Sequence, residues 1–149
     1  MPLWQIYHPG GTFEDAASKQ ALSQDITKMY TGIGLPAIYV VAQFIQQSES
    51  DVWVGGKQKT DKPFIRVVIT QIAVRLPNDD AAYQRNTTKI DQLLKPHVAD
   101  RGYDWEYHVV ETERRLWKIN GMIPPPRNSE AEHKWFTENW PVSYEGAYV

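Results

Sequence analysis

Apolar and polar positions run along this chain in two rhythms, one strand-like and one helix-like, and the same succession comes twice. Leu3-Trp4-Gln5-Ile6-Tyr7 has the β-branched and aromatic content of a strand, with Pro2 directly before it. His8-Pro9-Gly10-Gly11 reads as a turn, and Thr12 with Asp15 as a weak helix-opening capping box. Ala17, Leu22, Ile26, Met29 and Ile33 then recur at helical spacing, and the helix is expected to run to about Gly32 or Gly34. Pro36 cannot continue it. The stretch from Ile38 to Ile45 is apolar on both faces, which predicts a central strand covered on both sides. Strand, helix and strand in this order predict a parallel pair with a right-handed crossover. After a polar link, Val52-Trp53-Val54 and Gly55-Gly56 predict a short strand ending in a turn.

The second succession starts at Pro63, which leads into the strong strand pattern Phe64 to Ile72. Pro77-Asn78-Asp79-Asp80 opens a helix with carboxylates where the N-terminal dipole favours them. Tyr83, Ile90, Leu94 and Val98 carry its stripe, and Pro96 kinks or ends its last turn. Arg101-Gly102 turns the chain into a fourth main strand, Tyr103 to Val110. The first strand and its counterpart are offset by roughly 64 residues, the mark of a duplicated βαβ unit. The pattern predicts an α+β fold: tandem βαβ units packed about a pseudo-two-fold axis into a four-stranded mixed sheet with two helices on one face. One domain is expected, with residues 1–62 as the first unit and linker, 63–111 as the second unit, and 112–149 as a C-terminal arm.

The arm follows neither rhythm. Thr112 is placed to cap a short helix from Glu113 to Lys118, Asn120-Gly121 turns the chain, and Pro124-Pro125-Pro126 is a stiff extended spacer. Ser129 and Glu132 form a second capping box ahead of Trp135 and Phe136. Trp135 and Trp140 need burial in an otherwise hydrophilic tail, and a neighbouring subunit is the expected place.

Composition narrows the function. The chain has 149 residues, an apolar fraction of 42% and a net charge of -2, the profile of an ordinary single globular domain. No basic cluster interleaves with aromatics, so nucleic acid is not an expected partner. No apolar run approaches a membrane span and no signal-peptide pattern opens the chain, so a cytoplasmic location is expected. The absence of cysteine removes disulfides, thiolate catalysis and thiolate metal sites together. His8, His97, His108 and His133 lack metal-ligand spacing, and Gly55-Gly56-Lys57 lacks the flanking residues of a phosphate loop. No metal or cofactor is expected. Asn86-Thr87-Thr88 has the form of a glycosylation sequon but falls inside the second helix pattern.

Pro2 is the residue with the sharpest chemistry. Loss of Met1 would leave a secondary amine fixed to the first residue of a buried strand. An α-amine titrates near ~8, and desolvation or a nearby cation brings it toward the range where a general base works best. Further candidates cluster at the ends of the repeat elements. Arg75 lies past the second-repeat strand, and its planar fork suits a carboxylate. Tyr107 on the last main strand and Tyr30 near the end of the first helix offer hydroxyls that can orient a substrate or stabilise an enolate. Lys118 follows Trp117 in the arm.

Pro2, the duplication and these residues together resemble the tautomerase superfamily, whose members are built from βαβ units and use an N-terminal proline as catalyst. The fused two-unit form is similar to the cis-3-chloroacrylic acid dehalogenase group, on Ile26-Thr27, Trp105-Glu106-Tyr107 and Trp135-Phe136. The opening Met1-Pro2-Leu3-Trp4-Gln5-Ile6-Tyr7-His8, the segment Asp104-Trp105-Glu106-Tyr107-His108 and Leu116-Trp117-Lys118-Ile119-Asn120-Gly121 resemble a fungal branch of oxalocrotonate-tautomerase-like proteins. The resemblance puts Pro2 in the place of the catalytic proline, Arg75 in that of the second substrate-binding arginine, and Tyr107 in that of the active-site tyrosine. Ile72 stands where the first arginine would be, Tyr30 where the helix histidine would be, and Lys118 near the water-activating glutamate. Trp117, beside Lys118, is counted with Tyr30, Ile72 and Lys118 as substrate-binding. A protonated lysine cannot activate water, which argues against hydrolytic dehalogenation.

The resemblance implies a trimer acting on a small anionic carboxylic acid, a 2-oxo, enol or unsaturated acid, by proton transfer through Pro2. Arg75, helped by Lys118, would hold the carboxylate. Two other readings stay open: a non-catalytic oligomeric ligand-binding protein on the same fold, and dehalogenase- or hydratase-like chemistry. Element order alone also fits a ferredoxin-like αβ domain, which requires no processed N-terminus.

Overall fold

The computed structural model describes residues 1–73 and 75–148; Val74, in the second unit, and Val149, at the end of the arm, lie outside the described residues. Strand β1 (Leu3–Pro9) is followed by helix α1 (Ala16–Thr31) and strand β2 (Val41–Gln47). A small hairpin of β3 (Trp53–Val54) and β4 (Lys57–Gln58) leads to β5 (Phe64–Gln71), helix α2 (Asp80–Leu94) and β6 (Asp104–Glu111). The arm ends in a short helix, α3 (Glu130–Glu138). The main sheet has the order β2-β1-β5-β6, with parallel outer pairs and an antiparallel centre. This is the four-stranded mixed sheet of two tandem βαβ units that the pattern predicts.

Alternation along the strands divides the sheet into two unlike faces. Trp4 and Ile6 of β1 and Ile65, Val67 and Ile69 of β5 are fully or almost fully buried in a core shared with Leu22 and Ile26 of α1 and Ile90 and Leu94 of α2. On the other face Leu3, Tyr7, Val41 and Val68 are half-buried, while Gln43, Glu106, His108 and Val110 are exposed.

Several local expectations shift. Asp15, not Thr12, caps α1, accepting from Ser18 N at 2.7 Å; the Thr12 hydroxyl is buried and donates to the Pro9 carbonyl. Ala17 is exposed and Tyr83 is 42% exposed, so neither helps form the core. Ala37–Tyr39 is a 3-10 turn, because Pro36 and the packing of Tyr39 bend the chain before β2 starts at Val41. β2 is an edge strand with Gln43 and Gln46 exposed, not a central strand covered on both sides. Of the stretch from Glu113 to Lys118, only Arg114–Leu116 coils, as a 3-10 turn capped by Glu113.

The arm packs on its own chain. Trp135 is fully buried, its ring edge-on to Tyr39 and Tyr144 and its indole N–H on the Val142 carbonyl at 2.7 Å, so it needs no neighbouring subunit. Trp140 remains 58% exposed. Three further hydrogen bonds fix the arm to the segment after α1. The Arg127 guanidinium donates to the carbonyls of Ile33 and Gly34 and pairs with the buried Glu132 at 2.9 Å. The Asn139 side chain, from a left-handed position at the end of α3, accepts from Ile38 N at 2.6 Å.

Candidate active site

The N-terminal end of β1 opens into a cleft of ≈ 80 Å³. Its lining joins four parts of the chain. Pro2 comes from the strand start; Met29, Tyr30, Ile33 and Leu35 from the end of α1 and the loop after it. Gln71, Ile72, Ala73 and Leu76 come from the end of β5 and its loop, and Asn86 and Lys89 from α2. The antiparallel pairing of β1 with β5, which sets Leu3 opposite Thr70, brings the start of one strand beside the end of the other.

Pro2 is buried, and its carbonyl accepts from Val41 N at 2.9 Å, which ties the chain start to β2. With Met1 in place the Pro2 nitrogen is an amide. The Met1 amine ahead of it is lowered from 8.0 to about 4, because burial disfavours its charged form.

Tyr30 supplies the best-ordered polar group. Its hydroxyl oxygen accepts from the Trp4 indole N–H at 3.0 Å and from the Gln71 side-chain amide at 3.1 Å. Those two donors occupy the oxygen's acceptor sites, leaving the O–H hydrogen free to donate. Burial raises the Tyr30 phenol, against a downward pull from the two donors, so it works as a neutral donor near neutral pH. Trp4 thus has a polar partner in the core, and Gln71 a reason to interrupt an otherwise apolar strand face.

Of the residues singled out from the sequence, the fold therefore gathers Pro2, Tyr30 and Ile72 at one cleft. It does not bring the others there. Arg75 sits on the loop after β5 with its side chain 88% exposed, and its nearest carboxylate is Glu111 at 4.0 Å. Tyr107 projects from β6, separated from β1 by β5, and donates to Asp91 at 2.9 Å and to the Thr87 carbonyl at 3.3 Å. Burial and the adjacent Asp91 carboxylate both raise its phenol. Tyr107 lines a neighbouring groove that shares only Leu76 and Asn86 with the Pro2 cleft. Trp117 is buried edge-on against Tyr39 at 4.8 Å, a packing residue, and Lys118 beside it is exposed. Strand order explains these departures: a residue's distance from Pro2 depends on its place across the sheet, which position in the sequence does not reveal.

Gln71, Asn86 and Lys89 were missed. Gln71 could have been found as the polar residue in register with buried Ile65, Val67 and Ile69 on one strand face. Asn86 and Lys89 stand three apart on α2 and so share a helix face, but nothing in the sequence aims that face at Pro2.

The sequence model of the family described as "Putative oxalocrotonate tautomerase enzyme" matches residues 1–140. This chain belongs to that family, within the tautomerase superfamily. Among solved structures, native RhCC from Rhodococcus jostii RHA1 is 35% identical, with a TM-score of 0.90 over 96% of this chain and 100% of that one. A protein of the thermophilic fungus Aspergillus fumigatus, described as a probable enzyme, is 40% identical, with a TM-score of 0.86 over 97% of this chain and 98% of that one. N1, a member of the cis-3-chloroacrylic acid dehalogenase family, shares the fold at 16% identity and a TM-score of 0.67, over 91% of each chain. No curated protein matches the sequence.

Proposed function

We propose that this protein is a tautomerase-type enzyme in which Pro2, freed by removal of Met1, transfers a proton on a small 2-oxo or enol carboxylic acid. The observation that carries the reading is the burial of Pro2 at a cleft whose inner wall holds the Tyr30 hydroxyl. A secondary amine there is desolvated, as the Met1 amine is, and desolvation keeps part of it neutral and basic near pH 7. In the enol-to-keto direction the Pro2 nitrogen takes the enol hydroxyl proton and delivers it to the adjacent carbon, which regenerates the neutral amine. Tyr30 donates to the oxygen on which enolate charge develops. Ile72 contributes an apolar wall that strengthens both interactions by excluding water. Among the described residues no carboxylate lines the cleft, so the water activation that hydrolytic dehalogenation requires has no base. Arg75, on its exposed loop, is placed to meet an incoming anion before it enters.

The working form is proposed to be a cytoplasmic trimer. The half-buried apolar residues Leu3, Tyr7, Val41 and Val68 on the outer face of the sheet support association through that face. Among the described residues no helix is long and apolar enough to cross a membrane.

Intact mass of the natively produced protein, followed by phenylenolpyruvate turnover with and without Pro2→Ala, tests the reading. Loss of the methionine mass and a fall in turnover of about 10²-fold or more in the variant are expected. A retained Met1, or turnover indifferent to Pro2, overturns it in favour of a non-catalytic binding protein, since an amide nitrogen is no base.

A further inference from the structure

We infer that the cleft takes a small acid carrying one carboxylate, held by Lys89 with its apolar tail against the end of α1, and excludes diacids of the same length. The inference deepens the reading above and rests on its cleft, though not on turnover there.

The charge of the lining decides the first part. Lys89 is the only charged side chain among the described residues that line the cleft, and it belongs to none of the ion pairs seen in the structure. Asn86, one turn earlier on α2, shares its helix face, so an ammonium and an amide approach a ligand from the same side. A carboxylate set between them gains a charge-assisted hydrogen bond. Its carbon chain then runs toward the inner wall, where Tyr30 donates.

The rest of the lining decides the second part. Met29, Ile33, Leu35, Ile72, Ala73 and Leu76 are apolar, and among them no second cation faces the cleft. A second carboxylate at the far end of a ligand would lose its water against these side chains and meet no cation there, only the neutral Tyr30 hydroxyl, whereas a methyl group in that place gains from the same burial. This wall is also held in place from outside: Arg127 and Asn139 of the arm grip the backbone of Ile33, Gly34 and Ile38.

The matched pair pentanoate and glutarate separates the alternatives, because they differ in a terminal methyl against a terminal carboxylate and neither turns over. Amide chemical-shift titrations of the Met1-free protein at pH 7 should show pentanoate binding at least about tenfold tighter than glutarate. Lys89→Met should weaken pentanoate by at least about tenfold and Lys89→Arg should restore most of it. Lys89 is exposed, so neither variant threatens the fold. Glutarate binding as tightly as pentanoate, or pentanoate binding unchanged in Lys89→Met, overturns the inference. Failure of proton transfer through Pro2 would appear instead as absent turnover with this binding pattern intact, which keeps the two outcomes apart.

Discussion

The start of β1 and the start of β5 are built alike and do different things. At each, a proline precedes the strand and its carbonyl accepts from the first part of the parallel partner: Pro2 from Val41 N, Pro63 from Asp104 N, both at 2.9 Å. At the first start the core behind the proline holds the Trp4–Tyr30–Gln71 hydrogen bonds. At the second, the residues at the matching positions, Ile65 and Leu94, are buried hydrocarbon. Outside Pro63, Lys59 bridges Asp61 and Asp104 at 2.6 Å each, tying the linker across the strand end with three charges. Outside Pro2 lies Met1, half-buried. Duplication thus preserves the backbone arrangement, while the proposed chemistry belongs to the copy whose nitrogen removal of Met1 would expose as an amine. The arm deepens the asymmetry, since Arg127, Asn139 and Trp135 all grip the segment between α1 and β2 of the first unit.

The widest separation between the two ends should appear in turnover. Pro2→Ala is expected to lower kcat by about 10² to 10⁴-fold, and Pro63→Ala to leave it within about twofold, because Pro63 is always an amide. Equal losses in the two variants, measured on phenylenolpyruvate, would break the comparison. Removing the arm's support should come next. Trp135→Ala opens a cavity beside Tyr39 and is expected to cost about 3–5 kcal/mol in urea unfolding. A loss below ~1 kcal/mol would mean that the arm does not brace the first unit.

A smaller effect is expected within the two cores. Tyr30→Phe leaves the Trp4 indole N–H and one Gln71 N–H unpaired in a buried site, costing about 1–3 kcal/mol. Leu94→Met, at the corresponding place, should cost less than ~1.5 kcal/mol. Comparable losses would show that the hydrogen-bonded cluster adds nothing over hydrocarbon packing.

The last contrast is in pH. In a chain that keeps Met1, burial lowers the folded-state pKa of the α-amine from 8.0 to about 4, so between those values the unfolded chain binds more protons than the folded one. The stability held by this group is therefore fully present above about pH 8 and is lost as pH falls toward 4. Acetylating that amine should flatten the dependence measured by urea unfolding between pH 5 and 8. An unchanged slope would place the amine in water. The Pro63 nitrogen is an amide and contributes no such slope.

Much of this was open to reading before the fold was known. Periodicity located both βαβ units, because a strand or helix with one buried face must repeat its apolar residues at that element's own period. Pro2 and Tyr30 were open to reading as well, since a proline at a strand start and a tyrosine at a helix end are visible in the chain. Arg75, Tyr107 and Lys118 were placed with them on element ends and on the resemblance to the two-unit tautomerases. Two sheet neighbours instead put β6 beyond β5, Tyr107 against Asp91, and Arg75 in solvent. Trp135 was recognised as needing burial, but its cover comes from Tyr39 and Tyr144 of its own chain.

The sequence by itself determined the elements, their duplication, and the one nitrogen that processing can turn into a base, because these depend on local spacing and covalent position. Only the tertiary structure decided which side chains meet that nitrogen. Gln71, Asn86 and Lys89 line the same cleft as Pro2 because β1 and β5 run antiparallel with α2 packed beside α1. That juxtaposition is a product of strand order and helix packing, which act between residues the chain keeps far apart.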